Sequence, residues 1–162
     1  MSTLVADIVE NSDGLPFTNM PAFSAHIGSG NPGITANTYT ILAADTEIFD
    51  VGGCYDTSNY RFTPNVAGYY NVHVVIKLYA GNTAQFTKQV AIYKNGSNYK
   101  ENLIDGYFGY SNNNHSVVTN AIVYCNGLTD YIEAYCRMGV NGNIISGGSV
   151  GNTFEAYRLI GQ

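Results

Sequence analysis

The chain has no tryptophan, four prolines, three cysteines and few charges, with Asp, Glu, Lys and Arg making up only 12% of its 162 residues. Each shortage excludes something. Cys54, Cys125 and Cys136 are odd in number and lack metal-ligand spacing, so neither a disulfide framework nor a zinc site is expected, and all three read as reduced, buried thiols. The seven basic residues (Arg61, Lys77, Lys88, Lys94, Lys100, Arg137 and Arg158) are scattered, and the formal net charge is -5. No stripe neutralises phosphates, so nucleic acid is not an expected partner. No run approaches the roughly 18 to 20 apolar residues of a membrane span, and residues 1–30 lack the basic and apolar regions of a secretory signal. The expectation is a chain made as a soluble protein, with no membrane insertion. Helical apolar spacing with caps is also missing, so little or no helix is expected.

What is abundant is glycine (18) and tyrosine (14). Short alternating runs are broken at Asn95-Gly96, Asn126-Gly127, Asn141-Gly142 and Gly147-Gly148, the punctuation of a sandwich or jelly roll. The clearest strand spans 68–79: Tyr70, Val72, Val74, Ile76 and Leu78 share one face, and Tyr69, Asn71, His73, Lys77 and Tyr79 the other. Residues 85–94 form a second strand, and Asn95-Gly96 supplies the positive-φ pair of a tight hairpin. Residues 117–124 and 131–138 read as a further hairpin joined by 126–130, which puts Cys125 near a turn and Cys136 several residues away, so that the thiols do not face each other. Residues 154–160 form the last strand. The amino end, with Asn11-Ser12-Asp13-Gly14, Pro16 and Pro21, divides the chain into an arm over 1–20 and one domain over 21–162.

Phe49-Asp50, Tyr55-Asp56, Arg61-Phe62-Thr63-Pro64 and Gly68-Tyr69-Tyr70, followed by Lys94-Asn95-Gly96, the 126–130 segment and Phe154-Glu155-Ala156-Tyr157, resemble in order and spacing the complement-q globular head and the wider tumour-necrosis-factor-like jelly rolls. Thr129-Asp130 stands where that family commonly has Gly-Asp, and Ala156 where it commonly has Gly. The resemblance implies an all-β, ten-stranded sandwich of two antiparallel sheets that assembles as a homotrimer about a threefold axis. It also implies that Phe23, Phe62, Tyr70, Phe154 and Tyr157 build the core and the contact between subunits. The opening residues 1–14 look like the leaders of many tailed-phage virion proteins, where they precede fibre or head-decoration domains. That second resemblance implies a virion location and an arm that docks on other virion proteins.

No constellation for catalysis stands out. His26, His73 and His115 fall on different segments, no serine sits in a nucleophile elbow, and Asp45 with Glu47 or Asp50 with Asp56 lack supporting neighbours for glycoside hydrolysis or calcium. The expectation is therefore no enzyme, no metal and no cofactor, with Asp50 and Asp56 turning a loop through Asx hydrogen bonds. His73, if it faced a threefold axis, would make assembly acid-sensitive. Tyr107, Tyr110, Asn112 and Asn113 pair aromatic rings with amides, a candidate surface for stacking on sugars. The leading expectation is a phage decoration knob or fibre tip that binds a host-surface glycan or protein. Its rivals are a secreted or cell-surface recognition module and a polysaccharide-degrading tail spike.

Overall fold

A computed structural model describes residues 20–81, 85–107 and 114–159. Among these the chain forms strands β1 (Ala22–His26), β2 (Gly33–Ile34), β3 (Thr40–Ile41), β4 (Thr46–Val51), β5 (Tyr55–Asp56), β6 (Arg61–Phe62) and β7 (Ala67–Tyr79). They continue as β8 (Gln85–Lys94), β9 (Ser97–Tyr107), β10 (Asn114–Asn126), β11 (Ile132–Met138), β12 (Gly142–Ile144) and β13 (Thr153–Arg158). One 3₁₀ turn, Gly148–Val150, is the sole helical element among the described residues. Thirteen segments stand against the ten expected, because turns cut the connections into two-residue pairings at β2, β3, β5 and β6.

Two antiparallel sheets stack face to face. The seven-stranded sheet runs β2, β12, β7, β13, β1, β4, with β10 along the other side of β7; the six-stranded sheet runs β5, β6, β11, β8, β9, with β3 on β11. The period-two reading of β7 holds: Tyr70, Val72, Val74, Ile76 and Leu78 are fully buried, because alternation sends every second side chain between the sheets. The β8–β9 hairpin also forms where Asn95 and Gly96 both take positive φ, which matches the twist of the flanking strands.

The expected hairpin of 117–124 with 131–138 does not form. β10 pairs with β7 along its whole length, from Asn114 opposite Tyr79 to Asn126 opposite Ala67, while β11 pairs with β8 in the other sheet. The connection is a crossover between sheets. The Asn126 Oδ1 accepts the backbone N–H groups of Leu128, Thr129 and Asp130, and the Asp130 carboxylate accepts from the backbone N–H of Asn126 and from Asn95 Nδ2. Such a loop carries the same turn residues as a hairpin, so composition does not separate the two. Gly127 has φ +72, and an added Cβ would collide with the backbone of Val66 and Ala67. Asn126→Ala, which strips three acceptor bonds from this loop, is expected to cost about 1 to 3 kcal/mol by urea denaturation; a loss below about 0.5 kcal/mol would mean that water replaces the amide without penalty.

Rings from both sheets meet at the centre of the core. Phe23 (β1) stacks on Tyr55 (β5) at 4.4 Å and on Phe62 (β6) at 4.7 Å, and meets Phe154 (β13) edge-on at 4.8 Å. Phe62 meets Tyr70 (β7) at 5.5 Å. The phenols that this buries are satisfied: Tyr70 donates to Val66 O and Tyr55 to Ala44 O. Cys54, Cys125 and Cys136 are all free and buried.

Candidate functional site

Among the described residues, the outward face of the seven-stranded sheet carries exposed apolar side chains on several neighbouring strands. Register places Val51, Ala22, Tyr157, Asn71 and Ile122 in one row across β4, β1, β13, β7 and β10. The next row is Phe49, Ser24, Glu155, His73 and Asn120. Tyr69 and Tyr124 face each other at 5.4 Å beyond the first row, and Val118 lies beyond the second. Ile122 (57% exposed), Tyr157 (53%), Phe49 (48%) and Tyr124 (47%) are open to solvent. That much exposed ring and aliphatic surface on one flat sheet exceeds what scattered surface residues account for.

Polar groups at the centre of this face are tied to one another. Ser24 Oγ donates to Glu155 Oε1 at 2.8 Å, His73 Nδ1 lies 3.6 Å from Glu155 Oε2, and Asn71 Nδ2 donates to Tyr157 Oη at 3.0 Å. Of the aromatic residues picked out in the sequence, Phe23, Phe62, Tyr70 and Phe154 lie in the core, whereas Tyr157 stands on the exposed face. The alternation of β13 explains the split: Phe154, Ala156 and Arg158 are buried, so Tyr157 points the other way.

A second feature is the seam where the edge strands β9 and β10 of the two sheets approach. Tyr99 Oη donates to Ile122 O at 3.1 Å and Asn102 Nδ2 donates to Val118 O at 2.7 Å. Between these clasps lies a cleft of about 240 Å³ lined by Lys100, Glu101, Asn102, Val118, Thr119 and Asn120.

The outer face of the six-stranded sheet carries a self-satisfied polar and aromatic network. Tyr93 packs against Tyr135 at 4.3 Å and Tyr39 at 5.7 Å, and Tyr39 Oη donates to Glu101 Oε2 at 2.7 Å. Burial, and then that bond, raise the Tyr39 phenol to about 12. The Glu101 carboxyl is held below its ordinary value by the Tyr39 and Asn98 hydrogen bonds. Arg61 bridges to Glu133 at 2.8 Å and stacks over Tyr131.

The carboxylates singled out earlier are each engaged in their own loops. Asp50 accepts the N–H groups of Cys54 and Tyr55, and Asp56 accepts from Ser58 and Asn59. The Ser58 bonds lower the Asp56 carboxyl, as the Gly28 N–H lowers Asp45. Among the described residues no three His, Cys, Asp or Glu side chains gather as metal ligands. His26, His73 and His115 sit on β1, β7 and β10 and do not converge; His115 instead lies 3.0 Å from the Nζ of the fully buried Lys88, whose burial lowers its ammonium to about 8. Tyr110, Asn112, Asn113 and the side chain of Tyr107 lie outside the described residues, as do residues 1–19 of the arm.

Sequence reading missed Phe49, Val51, Ile122 and Tyr124 as face residues. The alternation Val118, Asn120, Ile122, Tyr124 in β10 was the available signal, but without the β10–β7 pairing it did not say which side was covered.

No protein-family model matches the sequence, and no curated protein matches it. Solved structures do match in fold. Eiger TNF from S. frugiperda aligns with a TM-score of 0.62 at 11% identity, covering 89% of this chain and 95% of that one. Murine APRIL at pH 8.0 aligns at 0.61 and 9% identity, covering 86% and 99%. The vertex protein P5 of phage PRD1 aligns at 0.53 and 13% identity, covering 88% and 97%. The chain has the TNF-like jelly-roll fold of two antiparallel sheets.

Proposed function

We propose that this jelly roll is a non-enzymatic structural component of a phage particle, a homotrimeric knob that presents a host-binding surface and is anchored by residues 1–20. The observation that carries the assembly is the apolar outward face of the seven-stranded sheet, where Phe49, Val51, Tyr69, Ile122, Tyr124 and Tyr157 are exposed together. A monomer rarely leaves such a face open, and aromatic residues are the ones that interface cores favour. The likeness to a phage vertex protein and the resemblance of residues 1–14 to virion leaders support placement on a particle. The likeness to Eiger TNF and APRIL supports the second reading, a secreted or cell-surface recognition module, which would use the same face for assembly.

The purified full chain is expected to scatter light with the mass of three copies. The double variant Ile122→Asp, Tyr157→Asp is expected to run as a folded single chain, since charges would be desolvated at the interface. A wild-type mass of one chain would overturn the assembly reading. Detection of the chain by mass spectrometry in purified particles, against recovery from culture medium without particles, separates the virion reading from the secreted one.

A further inference from the structure

Strand β4 is an edge that the described residues leave open. The seven-stranded sheet ends at β2, β10 and β4. Of these, β2 is two residues long, and the edge of β10 is clasped by Tyr99 and Asn102 of β9. β4 runs for six residues and pairs with β1 alone. Alternate residues of an antiparallel strand turn their N–H and C=O to opposite sides, so about half of the β4 main chain faces away from β1. Among the described residues no hydrogen bond reaches that side. Such an edge is a template for a further strand, and folds commonly blunt it with lysine, proline or a bulge. β4 has no lysine and no proline. It has one bulge, where the register shifts between Ser24 and Ala25, and the shift leaves Ile48 without an opposite residue on β1 and 52% exposed. Phe49 and Val51 stand in the rows of the outward face, but Ile48 and the open edge do not.

The chain carries a segment suited to this edge and joined close to it. Pro21 lies beside Gly52, its carbonyl accepts the Arg158 N–H, and Ala22 stands opposite Val51, so residues 1–20 meet the domain at the carboxyl end of β4. The segment Leu4-Val5-Ala6-Asp7-Ile8-Val9 is as long as β4, rich in β-branched residues, and free of proline and glycine. Leu4, Ala6 and Ile8 alternate with Val5, Asp7 and Val9, so as a strand it would present one wholly apolar face. Residues 10–20 contain the turn formers Asn11-Ser12-Asp13-Gly14. Fully extended they reach about 36 Å against the roughly 20 Å length of a six-residue strand, enough to turn back along it. A second copy fits less well: β4 against β4 in centred antiparallel register sets Glu47 opposite Asp50, two like charges. Tethering also gives the chain's own segment a high effective concentration at this edge.

We propose that residues 4–9 add to the open edge of β4 of the same chain as an eighth strand of that sheet. The inference goes beyond the reading above, in which residues 1–20 anchor the domain, and does not rest on it.

The test is amide hydrogen exchange by NMR on the full chain and on its Ala6→Pro variant, which removes a main-chain donor from the added strand and changes no residue of the domain. In the wild type the amides of 46–51 that face away from β1 are expected to exchange at least about tenfold more slowly than in Ala6→Pro, with alternate amides of 4–9 protected likewise. Amides of β4 that face β1 should exchange alike in both, which separates loss of the added strand from loss of the fold. Rates at the outward amides that agree within about twofold overturn the proposal. Protection that disappears on about tenfold dilution overturns the assignment to the same chain, because a tethered segment is indifferent to concentration. Light scattering on the same samples reads assembly separately. A trimer without this protection overturns this inference alone; a single chain that shows it overturns the assembly reading alone.

Discussion

Phe23→Ala is expected to destabilise the full chain by about 3 to 5 kcal/mol, the range for removing a buried aromatic ring when its surroundings relax only in part. Phe23 is 1% exposed and touches both sheets, stacking on Tyr55 and Phe62 from one and meeting Phe154 of the other edge-on. Its neighbours cannot close the gap, because Tyr55 is pinned by its hydroxyl to Ala44 O and Phe62 is held against Tyr70. Total stabilities of about 5 to 15 kcal/mol leave little margin for such a loss. Urea denaturation followed by circular dichroism measures it. Should Phe23→Ala fail to fold, Phe23→Leu, which keeps most of the volume, gives an intermediate loss that still orders the series. A cost below about 1.5 kcal/mol for the alanine variant would mean that the two sheets are joined elsewhere.

The second large effect is alkaline unfolding. Burial raises the thiols of Cys125 and Cys136 from 9.0 to about 12, and burial also raises the phenols of Tyr55 and Tyr70 well above 10.0. An acid whose folded value is raised keeps its proton in the native state while the unfolded chain releases it. The native state then binds more protons, and stability falls as pH rises. The thiols act above about pH 9 and the phenols above about pH 10. Lys88 has the opposite sign: its ammonium is lowered from 10.5 to about 8, so the unfolded chain binds the extra proton in that window and stability rises through it. With each group worth about 1.4 kcal/mol per pH unit, four falling terms against one rising term up to about pH 10.5, and against none beyond it, give a net loss on the order of 4 to 6 kcal/mol per pH unit above about pH 10. Stability should therefore peak near pH 9 and collapse within about two units above it. Tyrosinate absorbance of the buried rings should rise together with the loss of circular dichroism. Full ionisation of the tyrosines while the fold persists would show that these rings reach solvent without unfolding.

How much of this was legible from residues alone varies with the distance over which the information acts. The strand at 67–79 and the Asn95-Gly96 hairpin could be read because alternation and a positive-φ pair are properties of adjacent residues. Phe23, Phe62, Tyr70 and Phe154 were singled out as family-like aromatics and lie together in the core. The 126–130 segment was misread as a hairpin turn because Asn126 and Asp130 fold the backbone in the same way whether the chain then returns to its own sheet or crosses to the other. Tyr157 differs from the other four in exposure, since one step along a strand reverses the face.

The site shows the same division. The tyrosine content and the scarcity of charge already pointed to surfaces that meet a partner. Which surfaces these are follows from pairings such as His73 with both Glu155 and Asn120, three residues drawn from distant parts of the chain. The seam cleft is further removed still, because it exists only where the edges of two different sheets approach.

By itself the sequence determined an all-β chain with period-two strands, tight Asn-Gly turns and buried reduced thiols, because these depend on neighbouring side chains and on composition. The tertiary structure alone decided that β10 lies beside β7, that the outward face of the seven-stranded sheet is left apolar, and that Thr119 and Asn120 border an open seam. The physical reason is that alternation assigns each strand two faces without naming its neighbours. Those are selected by packing and hydrogen bonding between segments far apart along the chain.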